Sequence, residues 1–419
     1  MKKEFDTIKG YESIKKELEL FCDILTDTEK YKKLGVETPK GLILVGSPGT
    51  GKTTMAKALI KASGRKAYTI RKNRPDGSFV EKIAQTFEEA KKNAPSIVFL
   101  DDFDKFSNGD DEHCNTDEFV TVQASIDDVK DYEVFVLATA NDIRDLPGSL
   151  LRNGRFDKTI CVNNPDLEDS KLIIKHYLSK KKNVGDVDID LIAGIMQDKS
   201  CADLETVVNE AGLIAGFTNN AKITNDDIIT ACLKVIFDVN NVEDKSEYFK
   251  KVAAVHECGH AIASELLEPK SVNLVSIGNY LGDNGGITSI NMNKDYFVDM
   301  KFMENRVIIL LAGKAATEVI LNMYDTGANS DIQRAIRVVE RFVDNYACFG
   351  FDKFERRNSG DALINAKENN ITLLMEIFYK KAKDIIFDNK DLLNKMVDLL
   401  LEKSYLTNVD IKKLMPARA

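Results

Sequence analysis

The sequence predicts an α/β fold in which a parallel sheet is sandwiched by helices. A helical subdomain follows, then a mainly α-helical domain. Three observations predict it. A glycine-rich loop, residues 46–53, stands between an apolar run of four and a helical run. Two further apolar runs, Ile97-Val98-Phe99-Leu100 and Val134-Phe135-Val136-Leu137, each lead into polar residues. Fully buried parallel strands read this way when they deliver side chains to one edge of a sheet. Far downstream, His256-Glu257-Cys258-Gly259-His260 lies in a stretch that reads as one helix over about residues 248–267.

A chain of 419 residues, 43% of them hydrophobic, is long enough for two or three domains with cores of their own. The formal charge of -9 and pI near 5.3 argue against a dedicated nucleic-acid binder. Seven cysteines are scattered through the chain without a C-x-x-C pair, which disfavours a disulfide framework or zinc ribbon and points to a reducing, cytoplasmic compartment. Met1-Lys2-Lys3-Glu4 leads straight into charged sequence rather than a signal peptide, and the longest apolar run, residues 307–313, is too short to span a bilayer. The expectation is a soluble chain without a membrane segment.

In chain order, Ile14, Leu18, Phe21 and Leu25 recur at helical spacing over residues 11–26. Pro39-Lys40-Gly41 then breaks the chain before the strand run Leu42-Ile43-Leu44-Val45. The loop Gly46-Ser47-Pro48-Gly49-Thr50-Gly51-Lys52-Thr53 has the G-x-x-x-x-G-K-T spacing, with Thr54 next, and opens a helix to about Ala62. Its glycines let backbone N–H groups converge on phosphate, and the helix N-terminus adds its positive dipole end. Lys52 reaches the outer phosphates and Thr53 ligates Mg²⁺. The strand 97–100 carries Asp101 to its C-terminal edge, the Walker B geometry for holding that Mg²⁺. The next position is where a carboxylate polarises the attacking water, and Asp102 occupies it. After the strand 134–137, Asn141 either positions water near the γ-phosphate or closes a turn. Arg152 and Arg155 are either surface charge or the arginines that an NTPase sets against transition-state charge. Residues 165–238 read as helical, with separate helices at 190–196, 202–217 and 225–237, and the polar stretch 240–244 reads as a linker.

Positions four apart on a helix share a face, so His256 and His260 can offer two imidazole nitrogens to one metal ion while Glu257 serves a water as general base. That is the H-E-x-x-H arrangement of zinc hydrolases. The bland alternative is a helix that happens to carry two histidines, yet only four occur in the whole chain. A catalytic Zn²⁺ takes three protein ligands. His113 and His176 belong to the nucleotide half, so the third is expected to be a carboxylate, of which the local sequence offers many. Cys258 is expected to be a small buried residue. Residues 272–277 and 285–288 are expected strands beside the cleft, where an edge would bind an extended peptide by backbone pairing. Residues 363–414 read as helical, with Leu373, Ile377, Leu393, Val397 and Leu400 expected in the core and ring contacts as the alternative.

These residues resemble the FtsH-type AAA+ proteases. The resemblance begins at Phe5-Asp6-Thr7-Ile8-Lys9-Gly10 and continues through Lys33-Leu34-Gly35, Pro39-Lys40-Gly41, Ala94-Pro95-Ser96-Ile97-Val98-Phe99 and residues 152–157. It runs on through Ala202-Asp203-Leu204, Val208-Asn209-Glu210-Ala211, the HECGH helix and Thr326-Gly327-Ala328, covering nearly the whole chain. It implies a P-loop AAA+ large subdomain over 1–163, a helical lid over 164–240 and a zincin-type protease domain over 241–419, with ATP and Mg²⁺ in the first and Zn²⁺ in the last. Arg152 and Arg155 match the family's arginine fingers, which act on a neighbouring subunit's nucleotide and so imply a homo-oligomeric ring, a hexamer. Asn141 matches the sensor of the γ-phosphate, and His176 and the stretch from Ile8 to Gly10 match residues near the adenine. Asp331 matches the Asp that completes the zinc site, with helix capping as its other role.

The chain departs from the family pattern in three places. Asp102 stands where the family has Glu, and the shorter carboxylate predicts slow or absent ATP hydrolysis. The pore loop that grips substrate falls at residues 74–79, where Gly77 persists but Pro75 takes the aromatic position and Phe79 is displaced. Family members carry an N-terminal membrane anchor, whereas this chain begins at the ATPase; a membrane-anchored longer form and a soluble member are both consistent with that. The expected activity is ATP-dependent zinc endopeptidase action on protein substrates, unfolded and degraded in a ring. The rivals are a zinc peptidase with a weak ATPase as nucleotide-gated scaffold and a non-proteolytic ATP-binding chaperone module.

Overall fold

Five parallel strands form the sheet of the N-terminal half in a computed structural model that describes residues 2–72, 78–106, 117–237, 246–277, 285–291, 299–324, 326–346 and 361–415. They are β1 (Gly41–Val45), β2 (Lys66–Ile70), β3 (Ser96–Leu100), β4 (Val134–Ala140) and β5 (Lys158–Cys161), in the order β2-β3-β4-β1-β5. The central strands are apolar throughout because both faces of the sheet are covered. Ile43, Val45, Val98, Leu100, Val136 and Ala138 pack on one face with Ile83 and Phe87 of the helix Ser78–Lys92 and Val122 and Ile126 of the helix Asp117–Val129. Their alternates Leu42, Leu44, Ile97, Phe99, Phe135 and Leu137 are equally buried. On that side Phe21, in the helix Glu12–Thr26, has its ring 6.0 Å from Phe135.

The register matters for function. β1 pairs with β4 from Gly41↔Val136 to Val45↔Ala140, and β4 pairs with β3 on its other side. The loops after β1, β3 and β4 therefore meet at one C-terminal edge, where open parallel sheets bind ligands. The sequence pattern did not announce β2 and β5: β2 buries fully only Ile70, and β5 only Ile160. Helices Leu167–Ser179, Ile189–Ile195, Cys201–Phe217 and Asn225–Phe237 follow. The third starts at a reciprocal capping box between Ser200 and Asp203.

The chain separates into two compact units, residues 1–189 with 196–228, and residues 190–195 with 229–419. In the second, the helix Glu247–Leu267 packs along the helix Met300–Leu321, which absorbs the apolar run 307–313. Strands β6 (Val272–Ile277), β7 (Gly286–Ile290) and β8 (Tyr405–Thr407) form an antiparallel sheet in the order β7-β6-β8, leaving β7 on an edge. Helices Asn329–Asp344, Asp361–Asp388, Lys390–Lys403 and Asn408–Leu414 complete the unit.

Leu393, Val397 and Leu400 lie in the core, but Leu373 and Ile377 do not: they are 56% and 42% exposed. The helix Asp361–Asp388 turns Ile371, Phe378, Ala382 and Ile386 inward instead. Phe79 is a core residue, its ring edge-on to Phe106 at 5.0 Å. The rest of the expected pore loop (residues 74–77), the linker 240–244 and His113 lie outside the described residues. Among the described residues, no helix is long and apolar enough to cross a membrane.

Candidate active sites

The helix Glu247–Leu267 starts at Ser246, whose Oγ accepts the Phe249 N–H at 3.3 Å, and is buried without interruption from Ala253 to Ser264. Helical periodicity puts His256 above His260, their Nε2 atoms 3.0 Å apart. Asp331, in the first turn of the helix Asn329–Asp344, brings Oδ2 to 3.2 Å from His256 Nε2 and 3.3 Å from His260 Nε2. All three side chains are buried. A tetrahedral ion bound at the usual 2.0–2.1 Å from nitrogen and oxygen has ligand–ligand edges of about 3.3 Å, and this triangle has those edges. Two facing imidazole nitrogens and a carboxylate form a donor set suited to zinc.

The surroundings fit the same purpose. His260 Nδ1 lies 2.7 Å from the Ile309 carbonyl, which can only accept, so Nδ1 is engaged as a donor and Nε2 is the nitrogen left to meet an ion. Gly313 faces the pair directly: a Cβ there would stand 2.5 Å from His260 Nε2 and 2.6 Å from His256 Nε2, filling the ion's position. Asp331 Oδ1 is ion-paired with Arg334. Burial pushes the Asp331 carboxyl up, but hydrogen bonds from both histidines and the charges of His260 and Arg334 hold it well below the usual carboxylate range. Cys258 is fully buried, and burial pushes its thiol up, so it offers no thiolate.

Glu257, next to His256, lines the same cleft of about 410 Å³ with Phe249, Thr288 and Arg334. Its carboxyl is raised by burial, against the opposing charges of His260 and His256 and the Thr288 hydrogen bond. The Thr288 hydroxyl, on β7, shares its proton between Glu257 Oε2 at 2.7 Å and the Glu257 carbonyl at 2.9 Å. Gly286 lets β7 approach this closely, since a Cβ there would come within 2.5 Å of Glu257 Cγ. Gly286, Thr288, Gly313 and Arg334 are functional neighbours that the motif did not disclose; a glycine inside an apolar helix, which costs stability relative to alanine, was the available signal for Gly313.

At the nucleotide edge, Gly46, Ser47, Pro48, Gly49, Thr50 and Gly51 form the loop, and Lys52, Thr53 and exposed Thr54 open the helix Lys52–Ser63. Gly51, at φ 94°, supplies the left-handed turn into that helix. Lys52 Nζ donates to the Gly46 carbonyl, to the Ser47 carbonyl at 2.9 Å and to Asn141 Oδ1 at 3.0 Å. Burial lowers the Lys52 ammonium, opposed by the charges of Asp104 and Asp102. Buried Asp101 accepts from Thr53 Oγ1 at 2.9 Å and Thr139 Oγ1 at 3.0 Å, so the two proposed Mg²⁺ residues are already in contact. The helix Cys201–Phe217 reaches the same loop through the Ala202 N–H, 3.1 Å from the Gly49 carbonyl.

Asp102 joins this network only through its backbone N–H, 3.0 Å from Thr139 Oγ1. Asp102 has Oδ2 engaged by Arg71 at 3.0 Å and Lys105 at 3.2 Å. Arg155 is held by Asp127 at 2.8 Å and by the Ser149 carbonyl, while Arg152 is exposed. Ile8 is buried and Gly10 takes φ 72° against Asp169. His176 has its imidazole lowered by burial and by the charges of Lys180 and Lys9, the latter from that same N-terminal stretch.

Comparison with known proteins adds the following. The model of the ATPase family associated with various cellular activities (AAA) matches residues 42–164, and that of peptidase family M41 matches residues 243–414. An ATP-dependent zinc metalloprotease FtsH of Ruminiclostridium cellulolyticum is 32% identical over 98% of this chain and 71% of its own length. That of Caldicellulosiruptor bescii is 33% identical over 98% and 72%. An ATP-dependent zinc metalloprotease FtsH 1 of Thermoanaerobacter sp. is 30% identical over 98% and 72%.

Proposed function

Since the chain belongs to the FtsH family of ATP-dependent zinc metalloproteases, we propose how its own residues divide that work. It is a hydrolase of protein substrates, with Zn²⁺ as the cofactor of its M41 half and ATP with Mg²⁺ serving its AAA half. His256, His260 and Asp331 hold the zinc, and the observation that carries this is their triangle of buried ligand atoms at 3.0, 3.2 and 3.3 Å. Zinc, when bound, polarises the scissile carbonyl and acidifies water. Glu257 takes the proton from the attacking water and passes it to the leaving amine, its carboxylate aimed by Thr288. The outer edge of β7 beside Glu257, which pairs with no other described strand, pairs with the backbone of an extended substrate.

In the AAA half, Lys52 and the loop Gly46–Gly51 bind the phosphates, Thr53 and Asp101 hold Mg²⁺, and Asn141 senses the γ-phosphate. Ile8, Gly10 and His176 border the adenine. Exposed Arg152, with Arg155, serves the nucleotide of the next subunit, which requires a ring, a hexamer that unfolds its substrates. The AAA large subdomain, lid and protease domain occupy 1–163, 164–240 and 241–419. Seven scattered cysteines without a C-x-x-C pair support a reducing cytoplasmic setting.

The test is degradation of casein and of a stably folded protein, with and without ATP and a zinc chelator. Chelation and Glu257→Gln are each expected to abolish cleavage of both substrates, and omission of ATP to spare most casein cleavage while stopping attack on the folded protein. Proteolysis that survives chelation, or persists in full in Glu257→Gln, would remove this mechanism.

A further inference from the structure

The nucleotide edge carries one more carboxylate than the roles above employ. Asp102 has a left-handed φ of 54°, and a 3₁₀ turn over Phe103–Phe106 follows it. Residues three apart eclipse in such a turn. Phe103 and Phe106, both 0% exposed, therefore pin one face to the core, and Asp104 falls on another. There Asp104 Oδ2 accepts from Asn141 Nδ2 at 2.9 Å, and Asn141 Oδ1 accepts from Lys52 Nζ at 3.0 Å. The amide has no choice of orientation, because an ammonium only donates and a carboxylate only accepts. Carboxylate, amide and P-loop ammonium thus form one connected chain.

The second oxygen, Asp104 Oδ1, is buried and has no hydrogen-bond partner among the described residues. A buried acceptor left unpaired costs stability, and such groups in native folds call for a functional explanation. Neither oxygen of Asp102 is both buried and unpartnered among the described residues, and its Oδ2 is shared by Arg71 and Lys105. Of the carboxylates acting on Lys52, Asp104 has the larger effect.

We infer that Asp104, rather than Asp102, is the carboxylate that receives the attacking water in ATP hydrolysis. The inference rests on the reading of this edge as an active ATPase site. The water oxygen bonds to the γ-phosphorus while the bond from that phosphorus to the β–γ bridging oxygen breaks. ADP leaves with that electron pair, and the proton of the water passes to Asp104 Oδ1 and from there to solvent. Asn141, gripped by the same carboxylate, ties the position of this base to the phosphate that Lys52 meets.

The experiment compares Asp104→Asn and Asp102→Asn in the full chain. ATP turnover is measured together with affinity for a fluorescent, non-hydrolysable ATP analogue in the presence of Mg²⁺, and the analogue also reports that the site has folded. Asp104→Asn is expected to bind the analogue within about threefold of wild type and to lose about 100-fold or more in kcat, the scale of a missing general base. Asp102→Asn is expected to lose at least about tenfold less. A smaller kcat loss in Asp104→Asn, a loss expressed in analogue affinity instead, or an equal loss in Asp102→Asn overturns the inference. Absence of wild-type turnover would overturn it together with the ATPase reading, whereas wild-type turnover that Asp104→Asn leaves intact overturns it alone.

Discussion

At Gly313 the zinc centre depends on a side chain that is not there. His256 and His260 converge because they are one helical turn apart, but convergence leaves room for an ion only if the facing helix contributes nothing in between. A Cβ on Gly313 would lie 2.5 and 2.6 Å from the two ligating nitrogens. Gly313→Ala is therefore expected to lower zinc affinity by about 100-fold or more, at the upper end of what a residue outside the ligand set costs. Casein cleavage should fall with it. The substitution raises helix propensity by about 1 kcal/mol, so a thermal midpoint that holds steady while bound zinc disappears would separate occlusion from unfolding. Full zinc occupancy in purified Gly313→Ala would show that the helix shifts to make room. The motif alone could not have named this glycine, because it lies on another helix and its role is visible only once the two helices pack.

Whole elements differ in how plainly the sequence declares them, and burial is the reason. β1, β3 and β4 are covered on both faces and spell out continuous apolar runs, so their loops, and with them Lys52, Asp101 and Asn141, can be placed from the sequence. β2 and β5, each with one fully buried residue, carry no such signature. Asp331 was legible only through the family resemblance, because a carboxylate at a helix start is common and the geometry that singles it out spans the helix Met300–Leu321. The helix Asp361–Asp388 misled for a different reason. It carries apolar residues on two faces, and spacing cannot say which face meets the core. Phe378 is 2% exposed with its ring 6.3 Å from that of Phe342, while its neighbour Ile377 is 42% exposed. Phe378→Ala should cost about 3–5 kcal/mol and Ile377→Ala less than about 0.5 kcal/mol, read from denaturation monitored in the protease unit. Equal costs would mean that Ile377 is covered in solution.

For the whole molecule the question is whether the nucleotide site is complete within one chain. The P-loop, Asp101 and Asn141 come together in a single unit, yet neither arginine joins them: Arg155 is tied to Asp127, and Arg152 points its charge to solvent. Hydrolysis needs positive charge against the phosphoryl transition state, and an arginine that does not serve its own site is free to serve another's. If identical subunits pack head to tail and the rotation closes, every P-loop of the resulting ring would meet a neighbour's arginine. Complementation tests this directly. Lys52→Ala removes the phosphate grip but keeps the arginines, and Arg152→Ala does the reverse, so each alone is expected to hydrolyse almost no ATP. In a ring reassembled from equal amounts of both, one interface in four joins an intact P-loop to an intact Arg152, and turnover should recover to about a quarter of wild type if interfaces act independently. Light scattering on the same samples reports whether rings have formed. Recovery in mixed rings requires an arginine acting across subunits; mixed rings that form yet stay silent would place the missing cation within the chain and remove the argument for a hexamer.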